Sequence, residues 1–401
     1  MRRKLFILLL MLGSAKCLVG QQKWLFQTQE IFNAKELGYK TTRIPAFAVT
    51  NNGTLLAFCE GRISSAGDWA SIDILMRRST DGGQSWSKPV VIAKGETVGK
   101  PTSNPVPIVG RNGTIHFLYQ RRYAHCYYIK STDDGKTWSE PKDITDAFKK
   151  FSAEYPWTVL APGPGHAIEL KNGRLVVPVW LASPNSGISE DKPRPHRPSC
   201  VATIYSDDDG VTWKGGDIIT NDGNPVSGSA DTVVNPSESA LIELSNGNVM
   251  INIRNESQTH RRLIAYSPDG SSHWSKPVFD NELFEPICMA SMVNLSSVLG
   301  KDYLLFCNPD SKNDPASQQL VARKGNRREN LTLKLSYDGG KSWPVAKVVD
   351  PGPTSYSDVA VSKEGIIYIL YEHLTGFEHQ TAQIMLARLN LSWLTDGRLD
   401  N

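Results

Sequence analysis

One short phrase recurs along this chain and limits its fold more than any bulk property. STDGGQSW (79–86), STDDGKTW (131–138), SDDDGVTW (206–213) and SYDGGKSW (336–343) are near copies, and SPDGSSHW (267–274) is a worn one. A second phrase runs in step with these boxes: Asn52-Gly53, Asn112-Gly113, Asn172-Gly173, Asn246-Gly247 and the variant Glu364-Gly365. Each leads into a strand-like run, TLLAFCE, TIHFLYQ, RLVVPVW, NVMINIR or IIYILYE. Asn-Gly is a favoured two-residue hairpin turn, because both positions accept positive φ. The unit therefore reads as hairpin, strand, further strand, box. Four strands of about six residues with their turns fill ~45–60 residues, the size of a propeller blade. Roughly 380 residues divided by that length gives about six units. The fold expected is all-β, a six-bladed β-propeller of four-stranded antiparallel blades, and no long helical periodicity competes with it.

The box itself reads as structure. In STDDGKTW an aspartate can accept backbone N–H groups of its own turn, Gly135 can take the left-handed conformation, and Trp138 can bury its ring against the sheet. None of this needs a substrate. SDDDG (206–210) suggests a calcium loop, but its glycine comes too early and position 218 is Ile where a Glu is required.

Composition narrows the class. Arg2, Arg3 and Lys4 precede the apolar run Leu5 to Leu12 and a small-residue stretch ending near Gly20, the pattern of a secretory signal. Residues 1–20 are expected to be that signal and 24–401 one domain. Lys16 before Cys17 disfavours a lipid anchor, so the expected location is secreted or periplasmic. No segment approaches the ~20 apolar residues of a membrane span. A net charge of +3 from 44 basic and 41 acidic residues gives no sign of a nucleic-acid or membrane-surface binder. Cys59, Cys126, Cys200, Cys288 and Cys307 are an odd set without metal-ligand spacing, and Cys59 sits in an apolar run that reads as core.

Boxes and blade count resemble the sialidase (neuraminidase) superfamily, bacterial glycoside hydrolase family 33 type, in which the repeats are called Asp-boxes. Residues scattered between the boxes sharpen the resemblance. TTRIPAF (41–47) looks like the family's Arg-Ile-Pro motif, INIRNES (251–257) like its second arginine motif, and RRENLTLKLSYDGG (327–340) like the Arg-x-Asn pattern before a box. The resemblance implies that Arg43, Arg254 and Arg328 bind the substrate carboxylate. It also puts Arg62 of Glu60-Gly61-Arg62 in the pocket and makes Asp68 of Gly67-Asp68 the acid/base. Asn235-Pro236-Ser237-Glu238 would supply Glu238 as partner of the catalytic tyrosine, Tyr356-Ser357-Asp358 the tyrosine, and Leu370-Tyr371-Glu372 the acid that steadies Arg43. It covers nearly all of the chain after the signal, in order. Implied with it are an exo-α-sialidase acting on sialylated glycans as a monomer, with no cofactor and no metal.

The physics of the set stands beside the resemblance. Counted from the hairpin glycines at 53, 247 and 365, Arg62, Arg254 and Glu372 lie seven to nine residues on, or roughly 23–30 Å along a strand. In a radially repeated fold they gather at one rim, away from the boxes; the same count puts Arg121 and Trp180 near that pocket. Three converging arginines suit an anion, since guanidinium forks match a carboxylate bidentately. A sialic acid carries a carboxylate on the anomeric carbon, where an anionic nucleophile would be repelled and a neutral phenol would not. Tyrosine nucleophiles mark sialidases as an exception among retaining glycosidases. With an ordinary pKa of about 10, Tyr356 needs a base such as Glu238, while Asp68 protonates the leaving oxygen and then activates water.

Taken singly, each residue has a plainer explanation: arginines pair with surface acids, Tyr packs, carboxylates cap turns. The plain readings do not predict the full set in order. His166 in GPGHAIEL (163–170) reads either as a pocket residue or as a structural histidine. SPNSGISEDKPRPHRPS (183–199) reads either as a fence on the leaving-group side or as an insertion without a role. Within enzymes the alternatives are a trans-sialidase or a hydrolase of deaminated sialic acid on the same site; outside them, a glycan-binding Asp-box propeller without turnover.

Overall fold

Every described strand of this chain pairs antiparallel, in sheets whose inner edges converge. The computed structural model describes residues 24–183, 192–300, 302–313, 327–375 and 382–398. The expected signal at 1–20, with Cys17, lies outside them. Thr41–Val49, Leu55–Arg62, Ile72–Ser79 and Val90–Ala93 form the first four-stranded sheet. Thr102–Val109, Ile115–Arg121, His125–Ser131 and Lys142–Asp143 form the second. A five-stranded sheet follows, built on Leu175–Ala182 and Ser199–Ser206, then a four-stranded one from Ser239–Glu243 to Val278–Phe284. No helix among the described residues is long and apolar enough to cross a membrane.

The result is all-β with a propeller-like arrangement of four-stranded sheets, but not the six separate sheets expected. Hydrogen bonding among the described residues gives five, the last with seven strands. The reason is one long strand, Val345–Val361. Its first part pairs with Glu329–Ser336 and its second with Ile367–Leu374, so it runs through two groups of strands without a break. Phe26–Phe32, the first strand of the chain, completes this sheet by pairing with Ala382–Leu389.

The core lies between sheets. Leu55–Arg62 is buried along its whole length, because both faces of the sheet are covered by neighbours. Large apolar clusters fill the seams; Phe58 and Leu56 of the first sheet, for example, meet Phe117 and Ile115 of the second. Cys59, Cys126, Cys200, Cys288 and Cys307 are all buried free thiols.

The hairpins behave as their chemistry requires, with Gly53, Gly113, Gly173, Gly247 and Gly365 all at positive φ. At the opposite ends the innermost strands are irregular. Pairing shifts register between Arg43 and Ala46, between Ser103 and Val106, and between Thr354 and Ser357. Such bulges bend a strand and re-aim its side chains. Arg43 sits at the first of them and Tyr356 inside the third.

Candidate active site

Tyr356 is the centre of the site. Its hydroxyl donates to Glu238 Oε1 and accepts from Arg254 Nη1 at 2.8 Å, while the same guanidinium group also binds Glu238 Oε2. Glu238 and Arg254 meet because their backbones continue the pairing of the strands that follow and precede them. Arg254 N donates to Glu238 O at 3.1 Å, and Ser237 N to Arg254 O at 3.0 Å. The other two arginines stack on the Tyr356 ring, with Arg43 Cζ 5.3 Å and Arg328 Cζ 5.5 Å from its centroid. Three arginines at positions 43, 254 and 328 thus surround one phenol.

Each arginine is held differently. Arg43 takes a bidentate pair from the buried Glu372, at 3.2 and 3.3 Å. Glu372 also accepts Ile44 N at 2.8 Å and Tyr356 N at 3.3 Å, so one carboxylate fixes Arg43 and Tyr356 together. Burial alone would push Glu372 up, but Arg43 and these N–H donors hold it below the usual carboxylate range. Burial likewise disfavours charge on Arg43, and Glu372 and Tyr356 more than restore it. Arg254 pairs with Glu238, and its Nε is buried with no partner among the described residues. Arg328 donates to Ser355 Oγ at 3.1 Å and to the Ile287 carbonyl, and it has no carboxylate partner among the described residues. Burial raises the Tyr356 hydroxyl well above its ordinary value, Arg254 opposes this and Glu238 adds to it. The phenol is therefore neutral at rest.

Asp68 stands on the opposite wall. It binds Arg62 Nη1 at 3.0 Å, and with 47% of its side chain exposed a ligand can reach it. Burial would raise its pKa, but Arg62, then Arg43 and His196, bring it down to about 2. Arg62 is in turn fixed by Glu60, two residues back on the same face of its strand, at 2.8 and 3.0 Å. A side chain at Gly61 would strike the Tyr39 ring at 2.7 Å, so glycine is required between them.

The cleft over these groups has a volume of about 140 Å³, and Asp68, Trp180, His196, Arg197, Asn235, Glu238, Arg254, Glu256 and Tyr356 line it. Sequence reasoning had not assigned His196, Arg197, Asn235 or Glu256. Buried Glu256 binds Arg197 at 2.9 Å and Asn235 Nδ2 at 2.9 Å, tying the 192–199 segment to the stretch that carries Glu238. His196 packs against Trp69, Tyr123 and Trp180, with centroids 6.0, 4.5 and 5.2 Å away. The described part of the proline-rich loop is thus a wall of the cleft; residues 184–191 lie outside the described residues. The available signal was RPHRPS itself, two arginines and a histidine stiffened by prolines, and the Glu256 inside the INIRNES motif.

Trp180 is at the cleft as expected, but Arg121 is not. It stacks on the Tyr119 and Tyr127 rings, at 5.8 and 5.0 Å, in the seam side of its sheet. Counting along a strand gives height and not face. Arg62, Trp180, Arg254 and Glu372 fall at odd offsets from their hairpin glycines (53, 173, 247, 365), Arg121 at an even one from 113, and alternate residues point to opposite faces. His166 resolves to the structural reading: its Nδ1 binds buried Asp358 at 2.6 Å, away from the cleft lining.

The boxes lie at the other end of the strands. Ile72 pairs with Arg62 but Ser79, the first box residue, pairs with Leu55 next to the hairpin. In the second box Asp133 Oδ1 accepts Lys136 N and Thr137 N at 3.1 and 2.9 Å, Oδ2 accepts Thr137 Oγ1 at 2.6 Å, and Gly135 stands at φ 76°. Asp81, Asp208 and Asp338 repeat the pattern. No box residue lines the cleft.

Comparison with known proteins agrees with this layout. The family profile described as a BNR repeat-like domain matches residues 53–369. The chain is 29% identical over 391 residues to a sialidase of Micromonospora viridifaciens and 31% identical over 382 residues to a sialidase of Bacteroides fragilis. These alignments use 90% and 85% of this chain but only 53% and 61% of the two relatives, so the chain spans little more than half of their length. A solved structure, the Hadza microbial sialidase Hz136, superposes with a TM-score of 0.73 at 27% identity, over 92% of this chain and 69% of that one. By its repeated boxes, its sheets and the span matched, the chain belongs to the BNR repeat-like domain family.

Proposed function

We propose that this chain is an exo-α-sialidase, a glycoside hydrolase that removes terminal α-linked sialic acid from glycoproteins, glycolipids and oligosaccharides. The observation that carries the reading is the Tyr356 hydroxyl held between Glu238 and Arg254, with Arg43 and Arg328 over its ring. The sialidases among its relatives support it.

The steps follow from the groups. The sugar carboxylate sits between Arg43, Arg254 and Arg328, which supplies an anion to Arg328, an arginine with no carboxylate partner among the described residues. Glu238 takes the phenol proton as Tyr356 oxygen bonds to the anomeric carbon and the glycosidic C–O bond breaks. The leaving oxygen receives its proton from Asp68. That residue is ionised in the empty site; a bound carboxylate neutralises part of the arginine charge that holds it down, so binding raises its affinity for a proton. Asp68 then takes a proton from water, whose oxygen attacks the anomeric carbon from the face the aglycone left, opposite Tyr356; the bond to the Tyr356 oxygen breaks and the proton on Glu238 returns to the phenol. Two displacements give retention of configuration.

We read the architecture as six blades in one catalytic domain over 24–401, with the seven-stranded sheet as two four-stranded blades sharing Val345–Val361. Six large apolar seams support this, one between Leu370 and Phe47 closing the ring of sheets and another between Leu305 and Ile369 inside the seven-stranded sheet. Action as a monomer is part of this reading. The signal-like sequence at 1–20 supports export. The test is release of aglycone from a fluorogenic α-sialoside by purified protein, with proton NMR of the first sugar formed. Release of the α-anomer is expected. No release, with Tyr356→Phe indistinguishable from wild type in glycan binding, would favour a non-catalytic binder.

A further inference from the structure

Outside the cleft lies a second, fully buried ion pair, Arg262 with Glu285. Arg262 donates from Nε to Asn252 Oδ1, from Nη1 to Glu285 Oε2 and to the Cys288 carbonyl at 3.0 Å, and from Nη2 to the Asn252 carbonyl at 3.3 Å. Glu285 accepts Cys288 N at 2.9 Å through Oε1 and Asn255 N at 3.3 Å through Oε2. Both backbone partners adjoin the clamp. Asn255 follows Arg254, and Cys288 follows Ile287, whose carbonyl receives Arg328 Nη2. Cys288 and Met289 also pack with Ile44 and Tyr356 in a small cluster of their own.

The turn this pair holds is strained. Ile287 stands at φ 62°, a left-handed conformation that a β-branched residue adopts only when its surroundings over-determine it. A similar device appears across the ring. Ile44, at φ 54°, gives its N–H to Glu372, which also binds Arg43. In each case a buried carboxylate binds an arginine and pins the backbone beside a left-handed isoleucine, next to the same tyrosine. Stability does not account for keeping such a pair, since apolar replacements of buried ion pairs are often neutral or stabilising.

We propose that Arg262 and Glu285 are a positioning pair for the substrate-carboxylate clamp. They lock the Glu285–Cys288 turn so that the Ile287 carbonyl aims Arg328, and they fix the strand end that carries Arg254. This rests on the sialoside-cleaving reading of the site, and its test separates the two. In Arg262→Met/Glu285→Gln the charges leave together and volume is kept. The expected result is a folded protein whose kcat/KM for a fluorogenic α-sialoside falls about tenfold to a hundredfold, mostly through KM, as for ångström-scale misplacement of a binding group. Ile287→Gly touches no charge: glycine accepts the left-handed conformation but is not confined to it, so the carbonyl loses its fixed aim and KM should rise in a folded protein, its thermal midpoint lowered by the lost buried side chain. In crystals of either variant Arg328 should have left the Ile287 carbonyl and Ser355 Oγ. Wild-type kcat and KM in a folded variant, or an unmoved Arg328, would overturn the proposal. If the double variant does not fold, Ile287→Gly decides by the same criteria. A wild-type protein inert on sialosides would sink the functional reading alone, and the position of Arg328 in Ile287→Gly crystals would still decide this one.

Discussion

The two ends of the same strands are built on opposite principles. At the hairpin end, each box closes on itself: Asp133 binds residues three and four positions away, and the copies at Asp81, Asp208 and Asp338 do the same. At the cleft end, Arg43 and Glu372 are 329 positions apart and Arg254 and Tyr356 are 102 apart. Local hydrogen bonds cost little chain entropy and can be copied blade by blade. A carboxylate clamp cannot, because it needs different residues from different blades converging on one point. Repetition in this chain therefore marks the scaffold, and the unrepeated residues build the cleft.

Substitutions can break that contrast or sharpen it. Removing the Tyr356 oxygen is expected to act most strongly: Tyr356→Phe should lose roughly 10³-fold or more in kcat with an unchanged circular dichroism spectrum. Asp68→Asn should lose about 10²–10⁴-fold on a natural sialoside, whose leaving alcohol needs a proton, and distinctly less on an aryl sialoside, whose phenolate leaves unaided. Equal losses on both substrates would deny Asp68 the acid role. Arg328→Gln removes one charge-assisted contact of about 1.5–3 kcal/mol, which predicts a loss in kcat/KM between about tenfold and a hundredfold. At the other end, Asp133→Ala should leave kcat and KM at wild-type values and cost only about 1 kcal/mol of stability, after discounting for solvent around an exposed turn.

That last variant also carries a pH signature. Hydrogen bonds from Thr137, side chain first and then backbone, hold the Asp133 carboxyl below the usual range. A depressed folded-state pKa gives stability that is present above the unfolded value of about 3.9 and lost as pH falls through the folded one. Wild type and Asp133→Ala should therefore differ in thermal midpoint at neutral pH and converge in strong acid. A gap that widens below pH 4 would show that the box does not work through its ionised aspartate.

Much of this was legible before any coordinates. The Asn-Gly turns and boxes carry their geometry in the identity of a few adjacent residues, so an all-β repeat could be read directly. The convergence was legible through resemblance: Arg43, Arg254 and Arg328 meet at Tyr356, with Glu238 and Glu372 beside them. Arg121 was misplaced because a residue count along a strand ignores its face. The sheet count was off because nothing in the residues 345–361 announces a single strand shared by two groups. His196, Arg197 and Glu256 escaped assignment because their role depends on which segments the fold brings together.

The residue order by itself determined the local conformations: turns that only glycine and asparagine accept, strands rich in branched and aromatic side chains, and aspartates that bind their own loops. Tertiary structure decided what those elements face. It turned Tyr356 inward at a bulge, set Arg328 without an acid among the described residues, buried Glu372 and Glu60 against Arg43 and Arg62, and kept Glu238 beside Arg254 partly exposed. It also placed Glu285 behind two of the three clamp arginines. The physical reason is distance along the chain: hydrogen bonds within a turn are fixed by neighbouring residues, whereas the field on a buried charge is summed over whatever the closed ring of sheets brings within reach.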